Sequence, residues 1–380
     1  MKIFFTIIVV LHGFIHLLGF SKGYGWYDPK ALTLPINKFW GSLWLISALL
    51  FLSYAFAFLQ FESRITLKIG VVALILSQII IIKFWPDAKY GTIANIIVFT
   101  VLLFGFARDY FSNMVDKEKQ ELISKTQKSD QSILNRKDIN HLPIPVKKWL
   151  EYSGSLNRPI PAYATFKQSM RMKTKPEQSK WYSATAEQLT TVKPPAFNWN
   201  VKVDILPFVE MTGRDKFVEG KGEMLIKLNS FFTVVDAAGE KIDEGALQRY
   251  LGEIVWVPAF ALSPFIEWEA INDHSAKGTL SYKGTTGSGI FYFNNDGNFS
   301  KFVAMRFKGN EPNTKRYEWI MRAKDYNTFD GIRIPTELEA TWILDNKEEW
   351  TWLEMKLEEV KYKQISSGEN LTLEKQEMEM

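Results

Sequence analysis

The sequence predicts two unlike parts: an α-helical four-span membrane domain, then an α+β domain in which a curved antiparallel β half-barrel of about ten strands packs on a central helix. Three observations carry this. Four long apolar runs crowd the first 110 residues; from Ala162 onward apolar and polar residues alternate with period two; and one helical stretch, Asp236–Trp268, interrupts that alternation. The boundaries expected are 1–110 for the four-helix transmembrane domain, 111–141 for a helical stalk and linker, 142–362 for the half-barrel with its helix plug, and 363–380 for a disordered tail.

The apolar runs are Ile3–Phe20, Trp40–Gln60, Leu67–Trp85 and Thr92–Ala107, each near the roughly 17–25 residues a helix needs to cross a bilayer. The first is too long for a cleavable signal peptide, and no small-x-small site follows it. Trp26, Tyr27, Trp40, Trp44, Trp85 and Tyr90 cluster at or near the span ends, as an interfacial aromatic belt does. Four spans place both termini on one side. Positive charges near the span ends lean toward cytoplasmic termini by a narrow margin.

Polar groups inside spans raise the free energy and therefore mark something. His12 and His16 lie four apart on one face of the first span. Ser77 and Gln78 come from the third, and Asp87, Lys89, Thr92 and Asn95 from the loop and start of the fourth. His12, His16, Gln78, Asp87 and Asn95 are expected to meet inside the bundle. Three readings compete: a structural hydrogen-bond cluster, a divalent metal on His12, His16 and Asp87, and a proton or ligand pathway. Haem does not suit two histidines on one helix face. No cofactor is expected, with the divalent metal as the alternative.

Residues 108–141 are polar and free of Pro and Gly, which predicts a helical stalk and a looser link. In LPIPVKKWLEYSG, Pro143 and Pro145 force an extended entry to a short amphipathic helix that Gly154 ends. Strands follow around Phe166–Met172, Val201–Ile205, Met224–Leu228, His274–Lys283, Ser288–Asn294, Phe299–Phe307, Tyr317–Met321, Leu338–Leu344 and Leu353–Leu357, with Asn295-Asp296-Gly297 and Asp330-Gly331 as turns. Within the helical stretch Leu247, Tyr250, Leu251 and Ile254 form one apolar stripe, Asp243 is the expected cap, and Pro258 stops the pattern. A sheet of this size curls, so the helix plugs its concave side.

Composition excludes several classes. Forty-six basic and 42 acidic residues leave a net charge of +4, and beyond residue 110 the signs are interspersed and nearly balanced, which opposes a nucleic-acid surface. No cysteine means no disulfide and no thiolate chemistry. GTTGSG at 284–289 lies between strands and reads as a hairpin turn. The acids Asp236, Glu240, Asp243 and Glu244 read as a turn and an acidic helix start, and Arg249 and Glu253 as a surface or rim i,i+4 pair. Asp273-His274-Ser275 is no triad, because neighbours on a strand point to opposite faces. No catalytic motif remains.

Tryptophan is the better clue. Leu251, Ile254, Trp256, Trp268, Trp319 and Trp342 are the candidate lining of an apolar cavity, with core packing as the competing reading.

LHGFIHLLGF, WPDAKYGTIANII, LPIPVKKWLEYSG, VVDAAGEKIDEGALQRYLGEIVWVPAFAL and DGIRIPTELEATW together resemble a bacterial family of uncharacterised multi-pass membrane proteins, a domain of unknown function. That resemblance implies no assigned activity. The β half is similar in pattern to the lipoprotein-carrier and lipoprotein-receptor half-barrels (LolA/LolB-like), which implies acyl-chain binding outside the cytoplasm; fold alone does not give function. The expectation is a protein of the bacterial cytoplasmic membrane whose half-barrel, leaning extracytoplasmic, binds a lipid or other hydrophobic ligand. Its partners would be the lipid bilayer, a lipid or an acylated protein. The alternatives are an integral-membrane enzyme or transporter, and a non-catalytic assembly partner.

Overall fold

The computed structural model describes residues 2–61, 63–126 and 132–365. The chain forms two compact units, one built on Met1–Asn113 and the other on Met114–Leu228 and Phe232–Met380.

The first unit contains α1 (Lys2–Gly23), α2 (Lys38–Gln60), α3 (Arg64–Lys83), the short α4 (Trp85–Ala88) and the start of α5 (Gly91–Lys125). α1, α2, α3 and α5 are long and apolar enough to cross a membrane. Asn37 and Ser63 cap α2 and α3 by accepting from Trp40 N and Thr66 N. α1 and α2 approach so closely that a Cβ on Gly23 would stand 2.7 Å from Gly41 Cα. The polarity is inverted relative to a water-soluble bundle. Ile3, Phe4, Ile7, Leu11 and Phe14 are exposed along α1, while His12, His16, Ser47, Ser77 and Asn95 are buried. That is the arrangement lipid selects, and His12, His16, Ser77 and Asn95 hydrogen-bond to one another inside. α5 runs on unbroken through the polar residues after Arg108, which contain nothing to end a helix.

The second unit begins with the end of α5. Glu118 there accepts from Asn198 Nδ2 at 2.8 Å and pairs with Arg214 and Lys216, and Lys119 pairs with Glu187. After α6 (Ile144–Tyr152), ended by Gly154 at φ +71°, come β1 (Tyr163–Met172), β2 (Tyr182–Val192), β3 (Pro195–Leu206), β4 (Val209–Val218), β5 (Lys221–Leu228) and β6 (Phe232–Ala238). α7 (Glu240–Glu253) leads to β7 (Ile266–Asn272), β8 (Ser275–Tyr282), β9 (Thr285–Phe293), β10 (Phe299–Phe307), β11 (Arg316–Phe329), β12 (Ile332–Ile343) and β13 (Glu349–Lys363).

All thirteen strands form one sheet in the order β6-β5-β4-β3-β2-β1-β13-β12-β11-β10-β9-β8-β7, with every neighbouring pair antiparallel. The chain steps outward from β1 to one edge, crosses by α7 to the other, and steps back to pair β13 with β1. The sheet curls around α7, which touches β4, β5 and β6 from one wing and β8, β9 and β10 from the other. The wings nearly close: Thr285 Oγ1 donates to Gly220 O at 2.7 Å, and Lys283 pairs with Glu219. Bulges in β11, β12 and β13 supply bend in the central strands.

The half-barrel and its plug are as expected, with three corrections. There are thirteen strands rather than about ten. β2 is rich in Ser, Thr, Ala and Glu and β4 carries charges, while β6 and β7 overlap the two ends of the stretch expected to be helical. The helix is also shorter than Asp236–Trp268. Gly239, at φ +115°, separates β6 from α7, and two 3₁₀ turns (Ile254–Trp256 and Pro258–Leu262) follow it before β7 starts at Ile266. Asp243 does not cap the helix. Its carboxylate accepts from Gly222 N and Lys221 Nζ, both at 2.8 Å, tying α7 to β5. The expected disordered tail lies, from residue 366, outside the described residues.

Candidate functional site

The intramembrane cluster comes together around Ser77. His12 and His16 project from one face of α1, and both rings pack on Phe51 of α2. His12 Nε2 donates to Asn95 Oδ1 at 3.0 Å, and the Ser77 hydroxyl lies 3.0 Å from His16 Nε2. Asn95 Nδ2 donates to Gln78 Oε1 at 3.0 Å and to Ser77 Oγ at 3.1 Å. Four of the five expected members therefore meet, and Ser77 is their hub.

Asp87 does not join them. Its carboxylate accepts from Thr33 Oγ1 at 2.7 Å and Leu34 N at 2.8 Å, fastening the α1–α2 loop. The set His12, His16 and Asp87 is thus not assembled for a metal, and no group of three or more His, Cys, Asp or Glu is so placed among the described residues. The loop ahead of α2 claims the carboxylate, which spacing along the chain does not reveal.

In the half-barrel, Leu251, Ile254 and Trp256 are the plug's own core, at 0%, 2% and 1% exposure. Trp256 stacks near Phe166, while Trp268 donates its Nε1 to Ala261 O at 2.9 Å and packs on Phe291. Trp319 and Trp342 occupy a different setting. They are cross-strand partners, and Trp342 in turn partners Trp350, so three tryptophans form a row across β11, β12 and β13. All three pack with the interior cluster. Nε1 of Trp319 and of Trp350 is buried without a hydrogen-bond partner.

Beside this row the interior is charged, which the sequence reading missed. Arg249 and Glu253 are not a surface pair. Arg249 Nε donates to Glu253 Oε1 at 2.7 Å, its Nη1 to Asp215 Oδ2 at 3.1 Å and its Nη2 to Gln188 Oε1 at 3.2 Å. Gln188 Nε2 donates to Glu253 Oε2 at 2.7 Å, and the Arg249 guanidinium lies over Trp199 and Phe197. On β10, Arg306 stacks 4.4 Å over Trp319 and donates Nη2 to Gly245 O at 2.8 Å. Burial, then Arg249, pushes the Arg306 guanidinium down to about 10. Burial raises Asp215 despite Arg249 beside it. One signal was available: Arg306 shares strand parity with Phe302 and Ala304, so a charge occupies an inward position.

The arrangement offers directed hydrogen-bond donors and aromatic faces inside a curled sheet. A hydroxyl within hydrogen-bond reach of a base is found instead in the helical unit, where Ser77 lies 3.0 Å from His16 Nε2. No curated protein matches the chain. A family model matches residues 132–355, which is the half-barrel unit apart from its first helix turns and its last strand's end, and on that match the chain belongs to a family of unknown function (DUF6544).

Proposed function

We propose that this protein is a membrane-anchored binding module whose half-barrel accommodates a lipid or another hydrophobic ligand. The tryptophan row Trp319–Trp342–Trp350 carries the reading: aromatic faces line the sheet interior while two indole N–H groups there have no acceptor. Buried donors are normally satisfied, so a ligand with an acceptor and an apolar body suits the place. Leu251, Ile254 and Trp256 then serve as the plug, with the tryptophan row as the binding surface. Acyl-chain handling fits a half-barrel outside the cytoplasm, on the cytoplasmic membrane, with a lipid or acylated protein as partner. Native mass spectrometry of the full-length protein from detergent is expected to show bound lipid, reduced in Trp319→Ala. Protein that is empty in every preparation opposes the reading. A reporter fused after Tyr362 and active only outside the cytoplasm tests the sidedness.

A second reading is an intramembrane enzyme or transporter working through His12, His16, Ser77, Gln78 and Asn95. It is favoured by the burial of that hydrogen-bonded set within the helical unit. Metal analysis and proton-flux assays on wild type and His16→Ala decide it, and no difference in either retires it.

A further inference from the structure

We propose that the half-barrel holds an anion, a carboxylate or phosphate such as the head group of an amphiphile, between Arg306, Lys308 and the row Trp319–Trp342–Trp350. The proposal rests on the ligand-binding reading and adds the chemistry of the ligand's polar end.

Arg306 is a half-buried cation without an ion pair among the described residues. Three acids stand near enough to influence it, and each is engaged elsewhere. Glu253 accepts from Arg249 and Gln188, Asp215 from Arg249, and Glu244 from Arg316 at 2.7 Å. Arg306 donates Nη2 to one carbonyl, and its Nε is buried with no partner. A guanidinium presents Nε and Nη as a fork that matches two oxygens of a carboxylate or phosphate. A half-buried guanidinium whose neighbouring acids are bonded elsewhere gains free energy when an anion completes its fork.

The surroundings supply the rest of a binding site. Two residues on, just past the end of β10, exposed Lys308 places Nζ 4.6 Å over the Trp350 ring, with Asp345, which Lys315 engages, close enough to feel its charge. The two cations therefore cover opposite ends of the tryptophan row, one half-buried and one exposed. Trp319 is 5% exposed, and its Nε1, like that of Trp350, lacks an acceptor. The unsatisfied groups on Arg306, Trp319 and Trp350 are donors, and donors beside two cations select an acceptor-rich anion. The indole faces suit the methylenes that follow a head group.

The test uses full-length protein in phosphatidylcholine nanodiscs, with empty nanodiscs as control. Dodecanoate, dodecyl phosphate, dodecanol and inorganic phosphate are titrated against tryptophan fluorescence and by calorimetry. Dodecanoate or dodecyl phosphate should bind wild type and lose about ten- to a hundredfold in affinity in Arg306→Gln, the range for a charge-assisted hydrogen bond. Lys308→Gln, at an exposed position that leaves folding intact, should weaken both by a smaller factor. Dodecanol should bind all three proteins alike. Inorganic phosphate bound as tightly as dodecyl phosphate, with the same loss in Arg306→Gln, assigns the anion to free phosphate; weak inorganic phosphate assigns it to a head group. Anionic probes bound equally by wild type and both variants overturn the inference while leaving the hydrophobic-ligand reading in place. If no probe binds wild type, the ligand-binding reading itself falls.

Discussion

Truncating Leu251 to alanine tests whether α7 is a structural plug. The side chain is 0% exposed, and its Cδ1 packs into the space that Gly278 of β8 leaves by having no side chain. Losing three carbons at about 0.8 kcal/mol per buried methylene removes roughly 2.4 kcal/mol of transfer free energy. The void adds about 24 cal/mol for each Å³ that fails to collapse. Because α7 is held between two wings of one curled sheet, collapse is restricted, and the total falls within about 2–5 kcal/mol. For a unit of this size each kcal/mol lowers Tm by roughly 2–4 °C. Tryptophan fluorescence during heating of the full-length protein in detergent reads the shift, since nine tryptophans lie in the half-barrel domain. A melting temperature unchanged from wild type would refute the plug. A mild loss together with increased lipid uptake would instead identify α7 as a lid over a cavity.

Glu253→Ala should cost about 1–3 kcal/mol, because it strips acceptors from Arg249 and Gln188 in a buried network; a loss below about 0.5 kcal/mol in the same melts would return the pair to the rim. The raised Asp215 value means the folded state holds its proton more tightly than the unfolded chain. This group's contribution to stability is therefore full below the ordinary carboxylate range and falls as pH rises through the raised value. Asp215→Asn should abolish that decline, and wild type and variant changing in parallel from pH 4 to 7 would contradict it. Asn95→Ala disconnects His12 and Gln78, for a loss averaging about 0.6 and at most about 1.7 kcal/mol for a polar contact within a bundle; a larger loss by thermal melting would mean that more than hydrogen bonds depends on it.

The intramembrane site was partly legible because helical spacing alone puts His12 and His16 on one face, and polar residues in spans have few places to go but inward. Asp87 was misplaced because a carboxylate at a span end has several possible partners. Apart from the inward parity of Arg306 on its strand, the charged interior of the half-barrel was not legible. Arg249 and Glu253 have the spacing of a common surface pair, and only Asp215 and Gln188, arriving from β4 and β2, make the place interior.

Local rules decided what depends on local physics. A run of some twenty apolar residues must span or be buried, alternation with period two must present one face to a core, and a four-residue apolar repeat must form a helical stripe. Those constraints sufficed for four long apolar helices, an antiparallel sheet and a helix within it. Tertiary structure alone decided the pairing of β1 with β13, nearly two hundred residues apart along the chain, and hence which faces curl inward. It also decided that Ala304, Trp319, Trp342 and Trp350 line up across four strands. Register between distant strands is set by the summed packing of the whole sheet, including bulges that shift it by one residue. No window of sequence contains that sum.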